Sequence, residues 1–222
     1  LNRSAKVPVI VGLVEVENAS VVSDLANSSY LKKHHYGYVH HDSPDERGID
    51  MDQFESKIVQ PLSACLSSHP SSNLKIWFEP GRFFTAESGI LLATVNTLKQ
   101  TPHRTFAGMD SGMNHLIRPA MYDAYHEVVN LSNPSGERIP YDLVGNICES
   151  SDFFAKNRPI QELSEGDVVA VLDTGAYGLS MATTYNMRSL PAEVWIDEAL
   201  QVSVIRKRKS AEDIVREALD SD

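Results

Sequence analysis

From Gly81 onward, the chain consists mainly of short runs of apolar and β-branched residues that are separated by turns. Runs of this kind are typical of strands, because a turn follows each run before a helix of ordinary length is complete. Five runs carry the pattern: 88–100, 104–110, 142–147, 167–173 and 192–197. We therefore predict a mostly antiparallel β-sheet or β-barrel domain over residues 85–222.

Two helices are expected inside this β-rich region. One candidate lies around Ala120–His126, and the other is Ala211–Leu219. Ser210 and Asp213 stand at the N-cap of the second helix and at its reciprocal partner position, which predicts a capping box. The basic run Arg206–Lys209 is followed by acidic residues, so we interpret it as a solvated strand end.

The first 50 residues have a different texture. Val7–Val16 predicts a strand and Glu17–Leu31 a short helix, whereas Lys32–Gly48 is polar and predicts a loop. That loop contains two adjacent pairs of histidines: His34, His35, His40 and His41. Adjacent side chains on an extended chain point to opposite faces, so we interpret the pairs as solvated and predict no metal site.

An amphipathic helix is expected after this loop, with Asp50 as its cap. Its apolar residues recur every four positions: Phe54, Ile58, Leu62 and Leu66. The apolar run 74–80 then ends at Pro80 and predicts a buried strand. We interpret residues 1–84 as part of an α/β domain that precedes the β domain.

The acidic composition narrows the classes of function. The formal net charge is −10 and the pI is near 5.2, whereas general nucleic-acid binding needs a basic excess. The two cysteines are too few for a disulfide framework. No stretch approaches the ~20 apolar residues of a membrane helix. We therefore expect a cytoplasmic protein.

The sequence EPGR at Glu79–Arg82 follows the predicted buried strand. A Pro-Gly turn exposes backbone amides and Arg82 offers a planar cation, which together suit an anion. From these four residues alone, an ordinary turn with a surface arginine is the simpler interpretation.

The segment Asp110–Glu127 places Arg118 just before Pro119, at a predicted helix start, with Tyr122 one turn further on the same face. Two interpretations stay open at this point. In the first interpretation, Arg118 and Tyr122 bind the same carboxylate. In the second, Arg118 stacks on aromatic residues at an interface.

The sequence CESSD at Cys148–Asp152 crowds a thiol and two carboxylates into a turn, which favours shifted pKa values. A single cysteine in a β domain is more often a buried apolar residue, but Glu149 and Asp152 follow this one closely. Further along, Gly175 and Gly178 flank Tyr177, which favours close approach of backbone to a ligand and adds a phenol donor.

These motifs occur in the order EPGR, MNHLIRPAMYDAYH, GNICESSDFFAK and DTGAYGLSMATTYNMR. Together they resemble the pyridoxal-phosphate-dependent decarboxylases of fold type III, and within them the diaminopimelate decarboxylases. The resemblance runs from about Leu74 to Leu219. It implies the remnant of a (β/α)8 barrel followed by a β domain, in a homodimer where a loop of the partner subunit completes each site.

The resemblance also implies which residues contact the cofactor and the substrate. Pyridoxal phosphate would be bound by Glu79, Gly81, Arg82 and Tyr177. Arg82 would contact the substrate as well, and Arg118 with Tyr122 would hold its distal carboxylate. The reaction implied is decarboxylation of meso-diaminopimelate to L-lysine.

Two further roles are implied at the CESSD turn. Cys148 would donate a proton in the neighbouring subunit's site, and Glu149 would bind the distal ammonium of the substrate. Ornithine decarboxylases resemble the pattern but carry Asp where Glu149 stands and lack an equivalent of Arg118. A second carboxylate on the substrate requires such an arginine.

Two parts of such an enzyme are not recognisable in the sequence. None of the lysines stands in a motif that matches the Schiff-base lysine, and Lys156 occupies a different part of the pattern. Where the Gly-rich phosphate loop is expected, only Gly37 remains. We therefore expect the chain to be inactive alone. The alternative is a non-catalytic homologue that binds or regulates a full-length enzyme.

Overall fold

The computed structural model describes Asp52, residues 55–68 and residues 81–220. The chain divides into two compact units, Leu1–Phe84 and Thr85–Asp222. In the first unit, a π-helical turn, Glu55–Val59, continues into helix α1, Gln60–Ser68. The helix predicted around Leu62 is therefore confirmed over the described residues. The elements predicted within residues 1–50 and 74–80 lie outside them, and a barrel remnant is not shown.

The second unit is built on a six-stranded sheet with the order β3-β6-β1-β2-β4-β5. Its strands are β1 Leu91–Gln100, β2 Thr105–Met109, β3 Val128–Asn130, β4 Arg138–Val144, β5 Phe153–Gln161 and β6 Val168–Val171. β2 and β4 pair in parallel, with Ala107 opposite Leu143, and the other neighbouring strands pair antiparallel as predicted. The sheet is therefore mixed.

The two edge strands of this sheet approach each other, so that the sheet nearly closes. Next to β3, the carbonyl oxygen of His126 accepts a hydrogen bond from Arg158 Nη1 of β5 at 2.9 Å. Asn130 Nδ2 of β3 donates to the carbonyl oxygen of Glu162, just after β5, at 2.8 Å. The alternating apolar residues of the strands fill the interior, which includes Val95, Ala107, Met109, Leu143, Phe154, Ile160, Val169 and Val171.

The helices of the second unit are α2, Arg118–Tyr122, and α3, Ala211–Leu219. The predicted capping box of α3 is confirmed, because Asp213 N donates to Ser210 Oγ at 3.1 Å and Ser210 N donates to the Asp213 carboxylate at 3.0 Å. The helix predicted around Ala120–His126 is wrong in its extent. The chain leaves the helix at Asp123, whose φ of 54° is left-handed.

A separate hairpin consists of β7, Glu193–Ile196, and β8, Val202–Arg206. β8 ends where the basic run begins, as predicted. The hairpin exposes large apolar side chains, and Trp195 and Val202 are 58% and 65% exposed. Among the described residues, no helix is long and apolar enough to cross a membrane.

Candidate functional site

A buried arginine stands at the start of α2, beside two tyrosines. Arg118 is 9% exposed, and its guanidinium carbon lies 5.8 Å from the ring centroid of Tyr122 and 6.0 Å from that of Tyr177. A guanidinium at this distance is attracted to aromatic faces. The structure therefore brings together three of the predicted site residues, with the guanidinium of Arg118 beside two aromatic rings. We call Arg118, Tyr122 and Tyr177 the arginine cluster.

The local sequence explains why Arg118 and Tyr122 share one face. Pro119 has a fixed φ that suits the first turn of a helix. Asp123 ends the helix after that turn, and its N–H donates to the carbonyl oxygen of Arg118. The guanidinium fork and the phenol O–H groups of the arginine cluster are donors of the kind that bind a carboxylate.

The glycines beside Tyr177 stand where the chain approaches its own backbone closely. A Cβ on Gly175 would collide with the carbonyl oxygen of Thr85, and one on Gly178 would collide with that of Thr174. These glycines therefore allow the chain to pack against its own backbone. Tyr177 itself has a φ of 57°, which is strained for a tyrosine and is typical of functional turns.

The CESSD turn, which we call the donor turn, exposes Cys148 and Glu149 to solvent. The interpretation of Cys148 as a buried apolar residue is therefore wrong. Its Sγ accepts a hydrogen bond from Asn186 Nδ2 at 3.4 Å, and Glu149 Oε1 accepts one from the Tyr185 hydroxyl at 2.6 Å. Among the described residues, these two side chains make no hydrogen bond to the arginine cluster.

The second carboxylate of the donor turn points inward. Asp152 is 5% exposed, and its two oxygens accept hydrogen bonds from the backbone N–H groups of Met113 and Ile147, each at 2.6 Å. Burial raises the pKa of Asp152, and these two hydrogen bonds partly oppose the rise. A shifted pKa is therefore found in this turn, as predicted, but its main cause is burial. Asp152 holds the turn through its two hydrogen bonds to the backbone.

Two segments for which the sequence predicted no role of this kind hold the donor turn in place. We call Ser111–His115 the base and Thr183–Ser189 the strap. Asn146 N donates to Ser111 O of the base at 3.1 Å. The strap is bound to the base at both ends, since Thr183 N donates to Asn114 O at 2.8 Å and His115 Nε2 lies 3.0 Å from Ser189 O.

His115 is a neutral structural histidine in this arrangement. Nε2 must carry its proton to donate to the carbonyl oxygen of Ser189, so Nδ1 accepts from Ser111 Oγ at 2.9 Å. Burial lowers the pKa of His115, and the charges of Arg208 and Arg188 lower it further, against the opposing effect of the bond to Ser189. A cavity of about 220 Å³ beside the strap is lined in part by these residues.

The remaining predicted residues lie in the first unit. Glu79 is outside the described residues. Gly81 and Arg82 begin a 3₁₀ turn, Gly81–Phe84, in which Arg82 is half-buried. Over the part of the chain that the structure describes, no group of three or more His, Cys, Asp or Glu residues is arranged to hold a metal.

Residues 20–175 match the sequence model of the pyridoxal-dependent decarboxylase C-terminal sheet domain, which is more than half of the chain. The chain belongs to this decarboxylase family. The relationship predicted from the four motifs is therefore confirmed. The matched range also includes residues 20–40, for which the motifs gave no position.

Diaminopimelate decarboxylases are among the individual relatives. The enzyme of Methanothermobacter thermautotrophicus is 41% identical over 175 residues, which are 78% of this chain and 40% of the relative. That of Vibrio cholerae is 47% identical over 56% of this chain and 30% of the relative. The Helicobacter pylori enzyme, solved in complex with L-lysine, has a TM-score of 0.64 and 35% identity over 81% of this chain and 42% of its own. The chain thus spans less than half the length of these relatives.

Proposed function

We propose that this chain supplies the substrate-binding and dimer half of a diaminopimelate decarboxylase, which converts meso-diaminopimelate to L-lysine with pyridoxal phosphate. The observation that carries the proposal is the arginine cluster, in which buried Arg118 lies within about 6 Å of the rings of Tyr122 and Tyr177. The guanidinium of Arg118 can bind a carboxylate through two parallel hydrogen bonds, and diaminopimelate carries a distal carboxylate of this kind.

The donor turn accounts for two further groups of the same substrate, the distal ammonium and the carbon that loses its carboxyl group. Glu149 is exposed and ionisable, so it is suited to bind the distal ammonium. The sulfur of Cys148 carries a proton that would replace the lost carboxyl group on the substrate carbon. Since both side chains are exposed on one turn, we place them in the site of a partner subunit, with the arginine cluster serving the site of its own subunit.

Membership of a pyridoxal-dependent family implies that this chain contributes residues to a pyridoxal-phosphate site. Gly81, Arg82 and the strained Tyr177 are the residues that would contact the cofactor. When bound, pyridoxal phosphate withdraws electrons from the substrate carbon that loses carbon dioxide. Two of the described lysines have other contacts: Lys156 Nζ lies 3.4 Å from the ring centroid of Phe153, and Lys209 Nζ lies 2.7 Å from Glu217 Oε1. The Schiff-base lysine would come from the part of the enzyme that this chain does not span.

A rescue mixture tests the proposal. The chain is mixed with a full-length diaminopimelate decarboxylase whose own donor cysteine has been changed to alanine, and lysine formation is followed. Because Cys148 would enter the partner's site, we expect activity to return in the mixture. Cys148→Ala in this chain should abolish the rescue, since it removes the thiol of the donor turn.

Co-purification of the two proteins separates the possible outcomes of this experiment. A mixed dimer that regains activity supports the proposal. A mixed dimer without activity contradicts the catalytic role of Cys148 and favours the alternative of a regulatory homologue. If the two chains do not associate at all, the dimer role is wrong.

A further inference from the structure

The strap places two adjacent side chains on the two adjacent functional residues of the donor turn. The Tyr185 hydroxyl donates to Glu149 Oε1 at 2.6 Å, and Asn186 Nδ2 donates to Cys148 Sγ at 3.4 Å. Tyr185 and Asn186 lie outside the range that matches the family's sequence model, which ends at residue 175. Both stand in the motif DTGAYGLSMATTYNMR, but no role was predicted for either of them.

The strap is fixed to the same base that fixes the donor turn. Asn114 and His115, which are 3% and 8% exposed, hold the two ends of the strap. Their neighbour Met113 donates its N–H to Asp152, the buried anchor of the donor turn. Because one buried segment holds both pieces, the separation between strap and donor turn is set by backbone hydrogen bonds and not by the exposed side chains alone.

The backbone of the strap is strained at the point where it meets the donor turn. Asn186 and Met187 have φ values of 57° and 56°, so two consecutive residues that are not glycine adopt the left-handed conformation. Asparagine tolerates this conformation, but methionine rarely does. Strain of this kind persists where the surrounding structure imposes it, and it is concentrated at functional sites.

We propose that Tyr185 and Asn186 are positioning residues that fix the side chains of Glu149 and Cys148 for reaction in the partner's site. This inference rests on the proposed function. Tyr185 occupies Oε1 of Glu149 and leaves Oε2 for the substrate ammonium. Asn186 restricts the rotation of the Cys148 side chain, so that the sulfur is held in one direction while its proton remains available.

The rescue mixture tests the two residues separately. Tyr185→Phe removes the bond to Glu149, so the KM for diaminopimelate should rise roughly 3- to 10-fold with little change in kcat. Asn186→Gly removes the amide and relieves the backbone strain, so kcat should fall roughly 3- to 10-fold with KM unchanged. A general loosening of the fold would not separate KM from kcat in this way.

Matched control variants exist elsewhere in the same unit. Tyr125→Phe removes another hydrogen bond from a tyrosine to a glutamate, because the Tyr125 hydroxyl donates to Glu127. Asn157→Gly removes the amide and relieves the backbone strain of another asparagine in the left-handed conformation, whose φ is 47°. Both controls should rescue as well as the unchanged chain. If Tyr185→Phe and Asn186→Gly also do so, the positioning role is wrong.

A titration of the isolated chain tests the contact without any activity. The hydrogen bond to Glu149, followed by the charge of Glu149, raises the pKa of Tyr185 above its ordinary value. Glu149→Ala should therefore lower the pKa of Tyr185, as followed by NMR of labelled tyrosine. An unchanged pKa would overturn the inference. If the unchanged chain fails to rescue, the proposed function is wrong, and this titration alone decides whether the strap holds the donor turn.

Discussion

Replacing Arg118 by alanine should lower kcat/KM for diaminopimelate by roughly 30- to 4,000-fold, because truncating one partner of a buried charge pair costs about 2–5 kcal/mol. The measurement requires a complete enzyme, so residues 85–222 would replace the corresponding C-terminal domain of the Methanothermobacter relative. Arg118→Lys should recover only part of the loss. Lysine keeps the charge but lacks the planar fork that binds a carboxylate through two hydrogen bonds.

Arg138→Ala in the same chimera is a matched control. Arg138 is another arginine of the same unit, and it lies outside the arginine cluster. Its side chain is 50% exposed, and its Nη2 lies 3.0 Å from Glu127 Oε1. An exposed ion pair of this kind contributes little, about 0–1 kcal/mol, and we expect nearly full activity. Equal activities of the Arg118→Ala and Arg138→Ala chimeras would exclude Arg118 from substrate binding.

Asp152→Ala should lower the free energy of unfolding by about 2–4 kcal/mol, since it leaves two buried N–H groups without their acceptor. Those groups belong to Met113 and Ile147, so the loss loosens the base and the donor turn together. Urea unfolding of the chain, followed by circular dichroism, gives the change. Asp152→Asn should cost less, because the amide retains one oxygen acceptor.

Glu149→Ala is the control for Asp152, because it removes a carboxylate from the same turn. Glu149 is exposed, so its loss should change the free energy of unfolding by no more than about 0.5 kcal/mol. The Asp152→Ala and Glu149→Ala variants should therefore differ sharply in their free energy of unfolding. If their alanine variants unfold at the same urea concentration, Asp152 does not anchor the turn.

The strands were predictable where the sequence carries a clear run, and less so where pairing is long-range. The run at 88–100 predicted β1, Leu91–Gln100, because it is rich in apolar and β-branched residues and is bounded by turns. β3 has only three residues and β5 contains Pro159, so neither shows a strong strand pattern. The parallel pairing of β2 with β4 depends on contacts between distant segments, which a local pattern does not encode.

In the candidate site, too, contacts set by local spacing were predictable, and contacts between distant segments were not. Spacing along one helical turn was enough to place Arg118 beside Tyr122, because residues four apart share a face. Composition alone did not show which acid of CESSD is buried, since burial of Asp152 depends on the N–H of Met113, 39 residues earlier. The contacts of Cys148 and Glu149 with the strap span 38 and 36 residues, so only the folded chain reveals them.

The most direct test of the central claim is the substrate preference of the unmutated chimera. With pyridoxal phosphate bound, carbon dioxide release would be measured from meso-diaminopimelate and from ornithine at equal concentrations. Ornithine has no distal carboxylate for Arg118, so we expect release from diaminopimelate to be faster by at least about 100-fold. Equal rates from the two amino acids, or faster release from ornithine, would contradict the assignment of this chain to the diaminopimelate-binding half of the enzyme.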